Sequence, residues 1–440
     1  MSISKLLIKP VWWVVLGVLL TAGVAFKLAV ALTAFVPGNA PIGYVGQDEV
    51  TNFNLKSGNE VLFRGQYERE FWSGTLLAYR IDSAGNLMPG TSWWTADAGE
   101  QVSTQNHNTG RLIATMTDLG AKVPFRTGNL SASQLATLGG TATQQDDVLD
   151  YLRGDRSKEF PTPGGLFRQR VSVMGAVVHS RPFYVADDTN PTVFVGANDG
   201  MLHAINAGTG SEGGKERWAY VPSMLIPKMR KLSVDPYLHD YYVDGQINVS
   251  TINSGTQRVL VGGLGGGGKG LYALDITDSA GLTAVSETTV ANKVMWEITP
   301  TAVSYTAPVT AGAYENLGYT YGTITIAKVR VGLNTVDAVI IGNGYNDGGD
   351  YGSYLFVINA TTGQLIKRFK AGSGTMASPN GLSTPVAIDR DRDDIVDWVY
   401  AGDLDGTMWK FDLRDLAVPA DVSTVATDVG GLMPPEPPAK

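Results

Sequence analysis

Residues 192–210 of the chain read TVFVGANDGMLHAINAGTG, a pattern typical of a β-hairpin. A run of apolar, largely β-branched residues comes first, and the second run begins with Met201. Between them stands Asn198-Asp199-Gly200. Asn, Asp and Gly accept the positive φ angles that tight hairpin turns require. The stretch therefore predicts two antiparallel strands joined by a short turn.

The same pattern recurs along the chain. Further copies begin at Arg258 (RVLVGGLGGGGKGLYALDITDSAG), Ala338 (AVIIGNGYNDGGDYGSYLFVINATTG) and Asp397 (DWVYAGDLDGTMWKFDLRD), and a fainter one covers residues 72–87. Glycines that align among the four clear copies stand 66, 80 and 60 residues apart, at Gly196, Gly262, Gly342 and Gly402. A four-stranded blade needs about 40–50 residues, so this spacing indicates blades with insertions. We predict an all-β fold, a modified β-propeller of four-stranded blades; unrelated hairpins in a β-sandwich are the alternative.

The composition agrees with this fold class and excludes several functions. The 440 residues include 53 glycines, and only 17% are charged, which favours short strands and tight turns over long helices. The 34 Lys and Arg residues against 42 Asp and Glu give a net charge of −8. Because phosphate binding needs clustered basic residues, we expect no nucleic-acid partner. The chain has no cysteine, which excludes disulfides, Cys-based zinc sites and thiol catalysis.

The first forty residues predict export from the cytoplasm. Lys5 and Lys9 precede an uncharged apolar stretch of 16 residues, 11–26, that leads into small residues. A helix of this kind is an export signal peptide, and the alternative is an uncleaved anchor that keeps the chain in contact with the membrane.

We divide the chain into four segments on this basis. They are a signal peptide or membrane anchor (1–40), N-terminal strands and a connecting region (41–160), the propeller (161–418), and a proline-rich tail (419–440) that contains PPEPP at 434–438.

Residues 389–397, DRDRDDIVD, predict a calcium site. Carboxylates at loop positions 1, 3, 5 and 9, with a backbone carbonyl at position 7, match the ligand pattern of calcium loops. Alternate residues of a tight loop point inward, so the aspartates can converge on one hard cation. The expected ligands are Asp389, Asp391, Asp393, Ile395 through its carbonyl, and Asp397.

Two positions of this loop depart from the EF-hand pattern. Loop position 6 is Asp394 instead of Gly, and position 12 is Tyr400 instead of Glu, so the usual bidentate ligand is missing. The alternative interpretation is a solvated acidic hairpin whose charge Arg390 and Arg392 neutralise. Magnesium suits such a site less well, because it rarely takes an all-protein cage.

Other motifs carry less weight. The glycine-rich residues 263–270 imitate a nucleotide loop, but an alternating strand pattern follows where a helix is needed, so we interpret them as a hairpin. Arg153-Gly154-Asp155 is an integrin-type adhesion tripeptide that only an exposed loop could use. The four histidines, His107, His179, His203 and His239, have no metal-site spacing, and His203 is expected to be a packed strand residue. No G-x-S-x-G nucleophile motif occurs, and no catalytic residue is predicted.

Several of these segments, taken in order, resemble the PilC/PilY family of type IV pilus assembly and tip proteins. The match covers about residues 65–415. The segments are HSRP (179–182), VGANDGMLHA (195–204), WAYVPS (218–223), VDG (243–245), YALDIT (272–277), GNGYN (342–346) and YAGDL (400–404).

The resemblance implies a modified β-propeller with one calcium loop, which here falls on residues 389–397. It also implies that calcium occupancy regulates pilus extension and retraction, that minor pilins are partners, and that Arg153–Asp155 contacts host integrin. Family members usually carry a large N-terminal region with a further metal site, and this chain has no such motif. The expected location is the pilus, cell surface, periplasm or outer membrane of a Gram-negative-type bacterium.

The sequence therefore predicts a non-enzymatic, exported, calcium-binding propeller of the type IV pilus machinery. Two other functions fit a propeller. One is a quinoprotein-like (PQQ) dehydrogenase, although quinone-reducing members of that class often carry adjacent cysteines. The other is a non-catalytic scaffold for envelope assembly, which predicts no dependence on calcium.

Overall fold

The computed structural model describes residues 61–82, 86–277, 282–301, 312–414 and 416, with short strands at 42–44, 55–56, 424–425 and 427–428. The side chains of residues 89–91 are not part of this description. The expected signal or anchor helix (1–40) and most of the tail (419–440) also lie outside it. Among the described residues, no helix is long and apolar enough to cross a bilayer.

The described strands form five β-sheets, numbered here by the order of their first strands along the chain. Sheet 1 contains β1 (Ile42–Tyr44), β2 (Leu55–Lys56), β3 (Val61–Glu68), β4 (Ser73–Ile81) and β5 (Leu87–Ser92). Sheet 2 contains β6 (Ile113–Met116), β7 (Lys122–Pro124), β8 (Phe183–Val185), β9 (Thr192–Ala197), β10 (Met201–Asn206) and β11 (Glu216–Tyr220). Sheet 3 contains β12 (Ile247–Ile252), β13 (Gln257–Gly263), β14 (Leu271–Asp275) and β15 (Val294–Ile298).

The remaining strands form two more sheets. Sheet 4 contains β16 (Thr325–Val331), β17 (Asn334–Gly342), β18 (Tyr354–Asn359), β19 (Leu365–Lys370) and β23 (Thr424–Val425). Sheet 5 contains β20 (Val386–Ile388), β21 (Trp398–Gly402), β22 (Met408–Asp412) and β24 (Thr427–Asp428). The α-helices of the described residues are short: α1 (Ala98–Thr104), α2 (Ala132–Leu138), α3 (Ala142–Arg153), α4 (Ile226–Met229) and α5 (Glu287–Ala291).

The four clear sequence repeats are the central hairpins of sheets 2 to 5. They form the antiparallel pairs β9–β10, β13–β14, β17–β18 and β21–β22, and each hairpin is flanked by outer strands of the same sheet. The faint copy at residues 72–87 supplies β4 of sheet 1. The predicted all-β propeller fold with insertions between the repeats is therefore confirmed.

Successive sheets pack face to face, because both faces of the central strands are apolar. In β13, Val259 and Val261 belong to a core shared with sheet 4, while Leu260 between them belongs to a core shared with sheet 2. In β17, Val339 and Ile341 face the sheet 3 core. Alternate residues of a strand point to opposite faces, so these continuous apolar runs bury each sheet on two sides.

The sheets also show where the expected division at residue 160 differs from the structure. Strands β6 and β7 precede that position, yet they belong to sheet 2, in which β6 pairs in parallel with β11 (Ile113 opposite Ala219). The described residues from Gly43 onward belong to one compact unit. The segment before residue 160 is therefore part of the same body as the strands that follow it.

Candidate metal centre

The aspartate loop, residues 389–397, connects β20 to β21 at the edge of sheet 5. Its two ends are brought together by strand pairing, with Ile388 opposite Trp398. Its second half is fixed to sheet 4, since the Val396 backbone N–H donates to the Lys328 carbonyl at 2.9 Å. The Val396 side chain is 5% exposed and lies in the core between sheets 4 and 5. The loop is thus anchored by packing and does not hang free from the sheet.

Three of the predicted ligands come together in this loop. Asp389, Asp391 and Asp397 each offer a carboxylate oxygen, and the three oxygens lie within 4.8 Å of one another. Asp389 and Asp397 are half-buried, and Asp391 is exposed. Like charges at this separation repel one another by about 1 kcal/mol per pair even in water. In the described part of the chain, this is the one group of three or more acidic or histidine side chains arranged to share a metal ion.

Backbone N–H groups of the loop hold two of these carboxylates. Asp389 accepts from Arg392 N at 2.7 Å and from Asp394 N at 2.9 Å, and Asp397 accepts from Arg390 N at 2.8 Å. These bonds require a tightly wound backbone, and Arg392 and Asp394 take φ angles of 65° and 64°. Asp394 therefore makes the turn that the sequence would have assigned to glycine, as Asp tolerates the left-handed region better than most residues do.

The other two predicted ligands are placed differently. Asp393 forms an ion pair with Arg330 of β16 at 2.9 Å and accepts from the Ile395 backbone N–H at 2.9 Å. Asp393 is therefore not part of the three-carboxylate cluster. The predicted role of the Ile395 backbone carbonyl as a calcium ligand stays a prediction. Sequence reasoning missed Arg330 because nothing near residue 393 in the chain signals a cation supplied by another sheet.

The donor set fits a hard divalent cation. The three carboxylates provide only oxygen atoms, which are the ligands that calcium prefers. Calcium usually takes six to eight such ligands, so water, the Ile395 carbonyl and Asp393 are the groups at hand to complete the shell.

The arginine of Arg153-Gly154-Asp155 does not have the exposure that an adhesion tripeptide needs. Arg153 ends helix α3 and is 0% exposed. Its guanidinium donates to the Phe125 carbonyl at 3.0 Å and pairs with Glu287 at 2.8 Å. Gly154 then ends the helix with a φ of 122°. A guanidinium that is enclosed in this way is not available to a receptor, so Arg153 has a structural role.

His203 holds a structural position. His203 of β10 is 0% exposed and contacts Glu216 at 2.7 Å and Asp199 at 3.1 Å, which confirms the packed strand residue. Burial opposes its charge, but Asp199 and then Glu216 outweigh that effect and raise the His203 pKa to about 9. Glu216 also accepts from Arg111, and this ion pair outweighs burial and lowers the Glu216 pKa to about 2. The group is a closed network of buried charges.

The glycine-rich residues 263–270 form a hairpin, as the sequence predicted. They connect β13 to β14 through a short 3₁₀ turn (Gly265–Gly267), and a strand follows in place of the helix of a phosphate loop. A Cβ added to Gly267 would lie 1.6 Å from the Tyr242 carbonyl oxygen, so the glycine allows close backbone contact.

Comparison with known proteins places the chain in a family. Residues 176–430 match the family model described as the PilY1 β-propeller domain. The type IV pilus biogenesis factor PilY1 of Pseudomonas aeruginosa (strain UCBPP-PA14) is 32% identical over 398 residues, covering 80% of this chain and 31% of that protein. A PilY1 homolog of Xylella fastidiosa (strain Temecula1) is 34% identical over 387 residues, covering 81% and 28%.

The chain therefore spans about a third of the length of the curated relatives it matches. Among solved structures, the C-terminal domain of P. aeruginosa PilY1 matches with 33% identity and a TM-score of 0.38, over 51% of this chain and 39% of that one. The family model covers more than half of the chain and coincides with its repeated sheets. The chain belongs to the PilY1 β-propeller family.

Proposed function

We propose that this chain is a non-enzymatic component of type IV pilus biogenesis that acts at the pilus or cell surface and depends on calcium. Its family membership and the names of its relatives support the pilus assignment. Minor pilins are the expected partners, as the resemblance to pilus assembly and tip proteins implies.

The observation that carries the calcium assignment is the convergence of Asp389, Asp391 and Asp397. A bound calcium ion would supply positive charge that offsets their mutual repulsion. The same loop is bonded to β16 through Lys328 and Arg330. A change in the conformation of the loop would therefore affect both sheet 4 and sheet 5.

This arrangement supports a regulatory role in pilus extension and retraction. Asp393 of the loop pairs with Arg330 of sheet 4 at 2.9 Å, so a rearrangement of the loop on calcium binding would alter a contact between sheets 4 and 5. A ligand shifts a conformational equilibrium only through its different affinity for the two states. We propose that pilus components bind the surface of the calcium-bound state, which favours extension over retraction.

Calcium titration calorimetry of the full chain tests the site. We expect one binding event, weakened by about tenfold or more in Asp391→Asn, because a ligand carboxylate becomes neutral. Asp394→Asn is the matched control, since Asp394 lies in the same loop but outside the cluster and Asn also accepts its positive φ. Its affinity should stay within about twofold of the unaltered chain. Absence of binding, or equal affinity in Asp391→Asn, would contradict the assignment.

The pilus assignment is tested in cells that carry the same two variants. We expect Asp391→Asn to change surface piliation and twitching motility, and Asp394→Asn to leave both unchanged. If gene deletion altered outer-membrane integrity but not piliation, the proposal would be wrong.

A further inference from the structure

A cluster of tyrosines lines a cavity between the connections of sheets 4 and 5. We define this tyrosine pocket by Tyr319, Tyr321, Tyr345, Leu382 and Leu404, and its volume is about 540 Å³. Leu404 lies in the β21–β22 turn, whereas the aspartate loop lies at the other end of β21. The pocket and the candidate metal centre are therefore at opposite ends of sheet 5.

The rings of the pocket are inclined to one another, and two of the pairs are steeply inclined. Tyr321 and Tyr345 have ring centroids 6.4 Å apart and planes inclined by 74°, and Tyr319 and Tyr321 are 6.4 Å apart at 35°. His179 adds a nearly perpendicular ring, 6.3 Å from Tyr321 at 83°. Tyr321 and Tyr345 are 45% and 56% exposed, which is high for aromatic side chains. The rings thus form slots and not a flat platform. A ligand with apolar ridges can enter such slots.

The backbone beneath the rings is held rigidly. The Tyr319 N–H donates to the Tyr345 carbonyl at 2.8 Å, which ties the two segments together. Gly344 permits this contact, since its φ is 63° and an added Cβ would lie 2.0 Å from the Tyr319 carbonyl oxygen. At the rim, Lys269 pairs with Asp347. A site formed in advance loses little conformational entropy on binding.

A polyproline II helix has the chemistry that these slots fit. It presents ridges of proline rings at three residues per turn, and its carbonyls have no internal hydrogen bonds. Tyrosine rings can pack on the prolines while their hydroxyls donate to those carbonyls. Aromatic-lined grooves of other proteins recognise proline-rich segments in this way.

The chain direction of β24 points the proline-rich segment that follows it toward the tyrosine pocket. β24 pairs antiparallel with β22, with Lys410 opposite Thr427 and Trp409 opposite Asp428. β24 therefore runs toward the start of β22, which follows the turn containing Leu404. The first proline of Pro434-Pro435-Glu436-Pro437-Pro438 stands six residues beyond Asp428, within a reach of about 20 Å.

We propose that the tyrosine pocket is a binding site for a proline-rich peptide and that its occupant is the 434–438 segment of this chain. A synthetic peptide copying residues 432–440 is the probe, titrated into full-length chains. The first receiving chain has serine at all four proline positions, so that its own segment no longer competes: Pro434→Ser, Pro435→Ser, Pro437→Ser and Pro438→Ser. The unaltered chain is the second.

We expect the peptide to bind the serine chain and to bind the unaltered chain about fivefold or more weakly, because the resident segment occupies the site. Adding Tyr321→Ser and Tyr345→Ser to the serine chain should weaken binding by about tenfold or more. Both tyrosines are exposed, so these changes are compatible with folding, which circular dichroism checks. The matched control Leu333→Ser, on a fully exposed turn residue elsewhere in sheet 4, should leave binding unchanged.

Absence of binding to the serine chain would overturn the proposal, and so would binding that the two tyrosine changes leave unaffected. Equal affinity of the serine and unaltered chains would also overturn it, since the segment of this chain would then not be the occupant. Neither readout involves calcium, so the result is independent of the candidate metal centre.

Discussion

Some single residues of this protein have structural roles that their neighbours in the sequence do not indicate. His203 and Arg153 are examples, since each is wholly buried and each pairs with an acidic side chain of another element. Burying a charged group is costly unless it is paired and hydrogen-bonded. Both side chains therefore depend on partners that only the tertiary structure brings close.

The buried His203 predicts that stability falls at alkaline pH. Its pKa is about 9 in the folded chain and about 6.5 when unfolded. Because the folded value is raised, the contribution of the charged imidazole is complete below about pH 6.5 and is lost as the pH rises through 9. We expect the free energy of unfolding to fall by about 3 kcal/mol across this window, measured by urea unfolding. His203→Gln should lose most of that slope; an unchanged slope would contradict the assignment.

Arg153 predicts a test of the Arg-Gly-Asp tripeptide. Arg153→Ala should lower the free energy of unfolding by about 3 kcal/mol or more, because it leaves Glu287 with less compensation in a buried site. Asp155→Ala should cost less than about 1 kcal/mol, as Asp155 bonds locally to Ser157. Chemical denaturation of both variants measures the difference, and equal stabilities would contradict it.

At the scale of elements, the repeated hairpins share a glycine whose purpose differs between blades. Gly196 and Gly342 stand near the ends of their strands, where the connection to the next sheet crosses closely. A Cβ would meet the Val243 carbonyl oxygen at 2.5 Å and the Ser383 carbonyl oxygen at 2.3 Å, respectively. Gly402 holds the same place in the last hairpin, but its nearest neighbour would be 3.7 Å away. The repeated glycine is thus a site of close backbone approach in some blades only.

This difference predicts unequal effects for one substitution at equivalent positions. Gly342→Ala should destabilise the chain by about 2 kcal/mol or more, because the clash involves backbone atoms that cannot easily move. Gly402→Ala is the matched control and should stay within about 0.5 kcal/mol of the unaltered chain. Thermal or urea unfolding measures the stability of both variants. Similar losses of stability would show that the close backbone approach at Gly342 does not determine the effect of the substitution.

At the scale of the whole molecule, neighbouring sheets share their cores. The core between sheets 4 and 5 contains Val396, which continues directly from the aspartate loop. A ligand that binds only the folded state raises its stability according to its concentration. A ligand that stabilises this loop should therefore raise the free energy of unfolding of the whole described body.

Calcium should accordingly stabilise the chain against heat. At a concentration of about 100 times the dissociation constant, we expect a gain of about 2.7 kcal/mol and a higher melting temperature, reversed by a chelator. Hydrogen exchange should show the added protection in residues 389–397, β20 and β21. Asp391→Asn should not respond, and a chain that melts at the same temperature with calcium and with chelator would contradict the calcium assignment.

Local pattern was enough to predict much of this protein. Strand alternation, Asn-Asp-Gly turns and aspartates at every second position depend on near neighbours in the chain, so the hairpins, their repetition and the cluster of Asp389, Asp391 and Asp397 followed from sequence. Contacts between distant segments carry no such period. The pairing of Asp393 with Arg330, the burial of Arg153 and the gathering of three tyrosines at one pocket depend on which sheets stack, and only the folded chain brings those residues together.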